Sequence, residues 1–172
     1  MTSAPRQSRT LTQHRSRTRR TAIAAGAVAL GLVALSACEK PSPKATVTVG
    51  SNSVSAEATC YDKGEKLSQK ALTDCIGSKS GHKLTVHDGQ RVRIGVDPEV
   101  AESGWAMVVN GQGTMSEASR DTYRSFDFDE VFAPQQSATG TSGVPRTAQI
   151  AIIEVDKSGQ AKGVWQYTLD RA

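Results

Sequence analysis

T-A-Q-I-A-I-I-E-V, Thr147–Val155, and V-W-Q-Y-T-L, Val164–Leu169, are two apolar runs joined through Lys157-Ser158-Gly159-Gln160. Short apolar runs bounded by turn residues are the sequence mark of strands, and this pattern recurs outward along the chain. Upstream, R-V-R-I-G-V places Val92, Ile94 and Val96 on one face by the two-residue period of a strand. It follows H-K-L-T-V and a turn at Asp88-Gly89, and it precedes a loop, D-P-E-V-A-E-S-G, and the run W-A-M-V-V. Asn110-Gly111 directly after that run signals a two-residue hairpin, because both turn positions want positive φ. D-T-Y-R-S-F and a strand near Ala45–Val49 extend the set. V-S-A-E-A-T-C reads as one more, with Val54, Ala56, Ala58 and Cys60 on one face. Eight or nine such strands among residues 38–172 predict a mainly β chain: a single β-sandwich with immunoglobulin-like topology as the default. One short helix is expected where Leu67, Ala71 and Cys75 stand four apart.

The N-terminal part has a different character. Residues 1–37 hold six arginines, no lysine and no acidic residue, and the apolar core ends in small residues. That is the anatomy of a secretory signal. The apolar run Ala22–Ala37 has 16 residues rich in alanine and glycine, whereas a helix spanning a bilayer needs about 20 strongly apolar ones. Arg19-Arg20 raises twin-arginine export, but Ala22 stands where that signal has a large apolar residue. The last four residues, Leu35-Ser36-Ala37-Cys38, resemble the bacterial lipobox. The resemblance implies cleavage between Ala37 and Cys38 and a diacylglyceryl group on the Cys38 thiol. Two or three acyl chains anchor stably where one does not. The expected organisation is a signal over 1–37, a polar, proline-containing tether over 38–44 and a β-sandwich domain over 45–172.

Cleavage changes the charge. The whole chain carries 21 basic and 17 acidic residues, and removal of six arginines leaves 15 against 17, a net charge of −2. The basic character belongs to the leader, so a nucleic-acid partner is not expected. With Cys38 lipidated, Cys60 and Cys75 are the remaining cysteines, and an oxidising exterior favours their disulfide.

A-T-C-Y-D-K-G, R-I-G-V-D-P-E-V-A-E-S-G-W, D-T-Y-R-S-F and G-V-W-Q-Y-T-L-D-R-A together resemble a family of small actinobacterial lipoproteins carrying a domain of unknown function. The resemblance spans most of residues 50–172 and implies secretion, lipid anchoring and a compact β-rich domain. It carries over no activity and no site.

Motifs of catalysis are sparse. His82 and His87 are five apart across one strand, an odd spacing that points them to opposite faces, so no shared metal is expected. Ser80-Gly81-His82-Lys83 fits S-x-x-K but lacks the S-D-N and K-T-G partners of penicillin-binding acyl enzymes. Asp127-Phe128-Asp129-Glu130 lacks the regular spacing of a calcium loop. Trp105 and Trp165 lie inside apolar strands and are expected in the core. No cofactor is called for.

The expected function is therefore a non-enzymatic binding module on the outer face of the cell membrane. It is held to the bilayer through Cys38 acyl chains and turned toward an extracytoplasmic protein or cell-envelope ligand. D-P-E-V-A-E-S-G-W is similar to the wedge region of chagasin-like cysteine-protease inhibitors, though their N-P-T-T-G is missing, and a small accessory hydrolase stands as a third reading. The interaction surface is expected at Asp127, Asp129, Glu130, Gln135 and Gln136. If strands alternate direction from the first, these residues fall at the end away from the tether, beside the long polar segment 133–145.

Overall fold

The computed structural model describes residues 41–78, 81–134, 136–137, 140–141 and 143–172. The strands are β1 (Lys44–Val49), β2 (Asn52–Glu57), β3 (Cys60–Tyr61), β4 (Lys83–Val86), β5 (Val92–Val96), β6 (Trp105–Val109), β7 (Gln112–Gly113), β8 (Tyr123–Phe126), β9 (Gln136–Ser137), β10 (Gly140–Thr141), β11 (Thr147–Val155) and β12 (Ala161–Arg171). Among the described residues, three short helices, α1 (Gln69–Gly77), α2 (Pro98–Ser103) and α3 (Phe128–Val131), interrupt them.

Two sheets form a β-sandwich. The first has the order β2-β1-β5-β8, antiparallel throughout. The second runs β12-β11-β6-β7 and shares the outer edge of β12 between two short strands. Gly163 and Val164 pair antiparallel with β3, while Thr168–Arg171 pair parallel with β4. The domain thus has the two-sheet architecture of immunoglobulin-like domains with its own strand order. β9 and β10 form a separate small hairpin.

The period-two expectation holds for β5, where Val92 and Ile94 are fully buried and Arg93 and Gly95 are half-buried. Asn110 and Gly111 have φ of 50° and 84°, the paired left-handed conformation that the β6–β7 turn requires. Trp105 and Trp165 are both fully buried.

Three expectations change. V-S-A-E-A-T-C is not one strand: the chain leaves the first sheet after Glu57 and joins the second at Cys60. The expected loop D-P-E-V-A-E-S-G contains α2, with Pro98 in the first turn and Val100 and Ala101 buried. Proline is tolerated there because that turn has no carbonyl partner for its missing N–H. The acidic stretch after β8 contains α3, which buries Phe128 and Val131 and stacks Phe128 on Phe132 at 4.7 Å between centroids.

The main core lies between the sheets, around Val47, Ile94, Met107, Ile152, Trp165 and Tyr167. A second, smaller cluster lies on the other face of the second sheet. There α1 covers Ala151, Ile153 and Val164, and the Cys60–Cys75 disulfide joins β3 to α1. Covering both faces explains why β11 and β12 read as nearly continuous apolar runs rather than alternating ones.

Pairing registers fix which loops share an end. Val92 lies opposite both Val49 and Phe126, which puts the turns at 50–51 and 87–90 together with Asp127, away from Lys44. β12 runs parallel to β4, so Arg171 and Thr147 reach the same end. The Asn110-Gly111 hairpin lies beside them, with Asn110 N–H donating to Gln149 O at 2.8 Å. At the opposite end lie Lys44, α2 and the β11–β12 turn.

Candidate functional site

At the end away from Lys44, Asp127 is the N-cap residue of α3, and its backbone N–H donates to Glu130 Oε2 at 2.8 Å. Asp127 Oδ1 also pairs with Arg91 Nε at 2.8 Å, both side chains being well exposed. Two of the three carboxylates expected to form an interaction surface are thus engaged at a helix start, where acceptors for backbone N–H groups are needed. Asp129 is exposed on the same helix. Gln136 lies in the small β9–β10 hairpin, and Gln135 lies outside the described residues. Among the described residues, no group of three or more His, Cys, Asp or Glu side chains is arranged to hold a metal ion.

The opposite end is chemically richer. Lys44 N–H donates to Asp97 Oδ2 at 2.7 Å and Asp97 N–H to Lys44 O at 3.0 Å, which fixes the start of α2 against the first strand. Next to it, a cleft of about 540 Å³ lies between α2 and the β11–β12 turn, lined among others by Tyr61, Glu102, Ser103, Glu154, Asp156 and Lys162. Glu154 has the same strand parity as Ile150 and Ile152 and lies opposite Trp105, so it points inward at the end of β11. It is 2% exposed. Its Oε1 lies 3.2 Å from Lys162 Nζ, which in turn lies 3.4 Å from Ser103 Oγ. Its Oε2 is buried and has no hydrogen-bond partner among the described residues. A buried acceptor left without a donor costs about 1–3 kcal/mol, so Oε2 is the atom of this cleft with unmet hydrogen-bonding capacity.

Asp156 closes the rim. Its Oδ1 accepts from Ser158 Oγ at 2.6 Å, Ser158 N–H at 2.8 Å and Gln160 N–H at 3.0 Å, while Oδ2 pairs with Lys66 Nζ at 3.1 Å. The Ser158 hydroxyl above all, then the Gln160 N–H and Lys66, hold this carboxyl well below the usual carboxylate range. Asp156 stays ionised and shapes the turn.

A larger cleft, of about 650 Å³, runs along Thr114–Asp121 and the β8 edge. Arg124 there lies 5.9 Å from the Phe126 ring centroid. Glu154 Oε2 is the single buried side-chain polar atom without a partner among the described residues, and it belongs to the other cleft.

The remaining expected residues place as follows. Cys60 and Cys75 are bonded. Ala37, Cys38 and Ser80 lie outside the described residues, among which no helix is long and apolar enough to cross a membrane. The segment D-P-E-V-A-E-S-G-W contains α2, with Val100 and Ala101 buried. Glu154 and Lys162 were not singled out by sequence reasoning. The signal was a glutamate at an inward position of an otherwise apolar strand, with a lysine just past the following turn. The chain matches no protein-family model and no curated protein.

Proposed function

We propose that this chain is a lipoprotein, anchored through acyl chains on Cys38, whose β-sandwich serves as a non-enzymatic binding module on the outer face of the cell membrane. The observation that carries the reading is Leu35-Ser36-Ala37-Cys38 at the end of an apolar core behind six arginines. From Cys38 the chain has six residue steps to Lys44, a reach of at most about 20 Å. A tether this short keeps the Lys44 end toward the bilayer and turns the opposite end outward. The outward end, with Asp127, Asp129 and Glu130 on and beside α3, is the surface offered to an extracytoplasmic partner. The small lipoprotein family that the sequence resembles fits the same reading. The test is the intact mass of the protein recovered from a bacterial membrane: a chain beginning at Cys38 with added acyl mass is expected. Cys38→Ala should prevent both changes. Recovery of the full-length, unmodified chain from a competent host overturns the proposal.

A further inference from the structure

We infer that the cleft between α2 and the β11–β12 turn binds a primary ammonium group carried by a small polar molecule, with Glu154 as its acceptor. Three observations carry this. Glu154 is 2% exposed, lines the cleft, and keeps one carboxylate oxygen without a donor among the described residues. The other oxygen already accepts from Lys162, so the open position calls for a further donor rather than an acceptor or an anion. Lys162 is 23% exposed at its side chain and stands at the cleft with Ser103, so a ligand reaches Glu154 by a shift of one long, partly solvated side chain. A carboxylate in such a setting forms charge-assisted hydrogen bonds, which are worth roughly twice neutral ones. A quaternary ammonium, which has charge but no N–H, cannot supply the donor. This inference stands apart from the lipid anchor, since it concerns a cleft within the β-sandwich.

The ammonium group could belong to a free small amine or to an ethanolamine lipid headgroup, and the experiment separates the two. The full chain, labelled with ¹⁵N and held in detergent micelles, is titrated with ethanolamine and, in parallel, with choline. Ethanolamine should give saturable shifts confined to the amides of Ser103, Glu154, Lys162 and their neighbours, while choline gives none. Glu154→Gln keeps the size of the side chain and removes its charge, and should weaken ethanolamine binding roughly tenfold or more. The choline comparison needs no variant, so it holds even if Glu154→Gln destabilises the fold. Titration in the same micelles with short-chain phosphatidylethanolamine and, in parallel, with short-chain phosphatidylcholine then identifies the source. Shifts of the same amides with phosphatidylethanolamine but not phosphatidylcholine assign the headgroup, and shifts with neither assign the free amine. The inference is overturned by the absence of saturable shifts with ethanolamine, by equal shifts with choline, or by unchanged affinity in a folded Glu154→Gln.

Discussion

The two faces of the second sheet are held by different means. On the inner face, Ile150, Ile152, Trp165, Tyr167 and Leu169 meet the first sheet in a buried apolar core. The two polar tips there each find a backbone carbonyl: Trp165 Nε1 donates to Pro43 O at 3.0 Å and Tyr167 OH to Ala45 O at 2.5 Å. On the outer face the apolar cluster is small, and the helix over it is tied by a disulfide and by Gln166. Gln166 Nε2 donates to Cys75 O, and its Oε1 accepts from Ser78 Oγ at 3.1 Å. Where facing sheets bury large side chains, burial suffices. Where a nine-residue helix lies over a small apolar cluster, a covalent link and a buried amide substitute for area.

Breaking the inner face should cost most. Trp165→Ala removes a fully buried indole and its bond to Pro43, with an expected loss of about 3–5 kcal/mol in urea unfolding, enough to threaten folding itself. Removing the disulfide with Cys60→Ala and Cys75→Ala opens a loop with a sequence separation of 15 and should cost about 3 kcal/mol in the chain-entropy account. Hydrogen exchange sharpens this second case. Amides of Gln69–Gly77 should lose protection in the cysteine variant while those of β5 and β6 keep theirs. Equal loss in both regions would mean that the two faces are one cooperative unit.

Gln166→Ala leaves the Cys75 carbonyl and the Ser78 hydroxyl without this partner and should cost about 1–2 kcal/mol by the same unfolding measurement. The smallest effect concerns pH. Burial raises the Tyr167 hydroxyl well above the ordinary tyrosine range, so the folded protein keeps that proton where the unfolded chain, with a value near 10, releases it. The unfolded state then binds fewer protons than the native one, and stability falls as pH rises above about 10. Melting temperatures taken at stepped alkaline pH should show this limb in the parent and a shallower one in Tyr167→Phe.

Much of this arrangement was legible because one interaction dominated each position. Val92, Ile94 and Val96 alternate cleanly since only one face of β5 meets the core. Asn110-Gly111 announced its turn through a backbone conformation that few residue pairs tolerate easily. The break between β2 and β3 was hidden because Val54, Ala56, Ala58 and Cys60 keep their period of two while the chain passes from one sheet to the other. Asp127 and Glu130 carried the D-x-x-E spacing of a helix start, yet α3 has four residues, too few for an apolar period to show. The Glu154–Lys162 pair was obscured by a strand buried on both faces, where a charged residue breaks no visible alternation. What places it in a cleft is α2, and sequence spacing does not reveal that contact.

The position of β12 bears on the order in which the molecule can be assembled. This strand, the last in the chain, pairs with β11, β3 and β4, and it supplies the donors that fasten Pro43 and Ala45. The bonds from Trp165 to Pro43 and from Tyr167 to Ala45 each bridge 122 residues, so the first strand is not fastened across the sandwich until β12 is in place. Closing contacts this distant in sequence is slow, on the scale of milliseconds to seconds for β-rich domains. During that interval the Lys44 end of the first sheet lacks the clasp that β12 supplies.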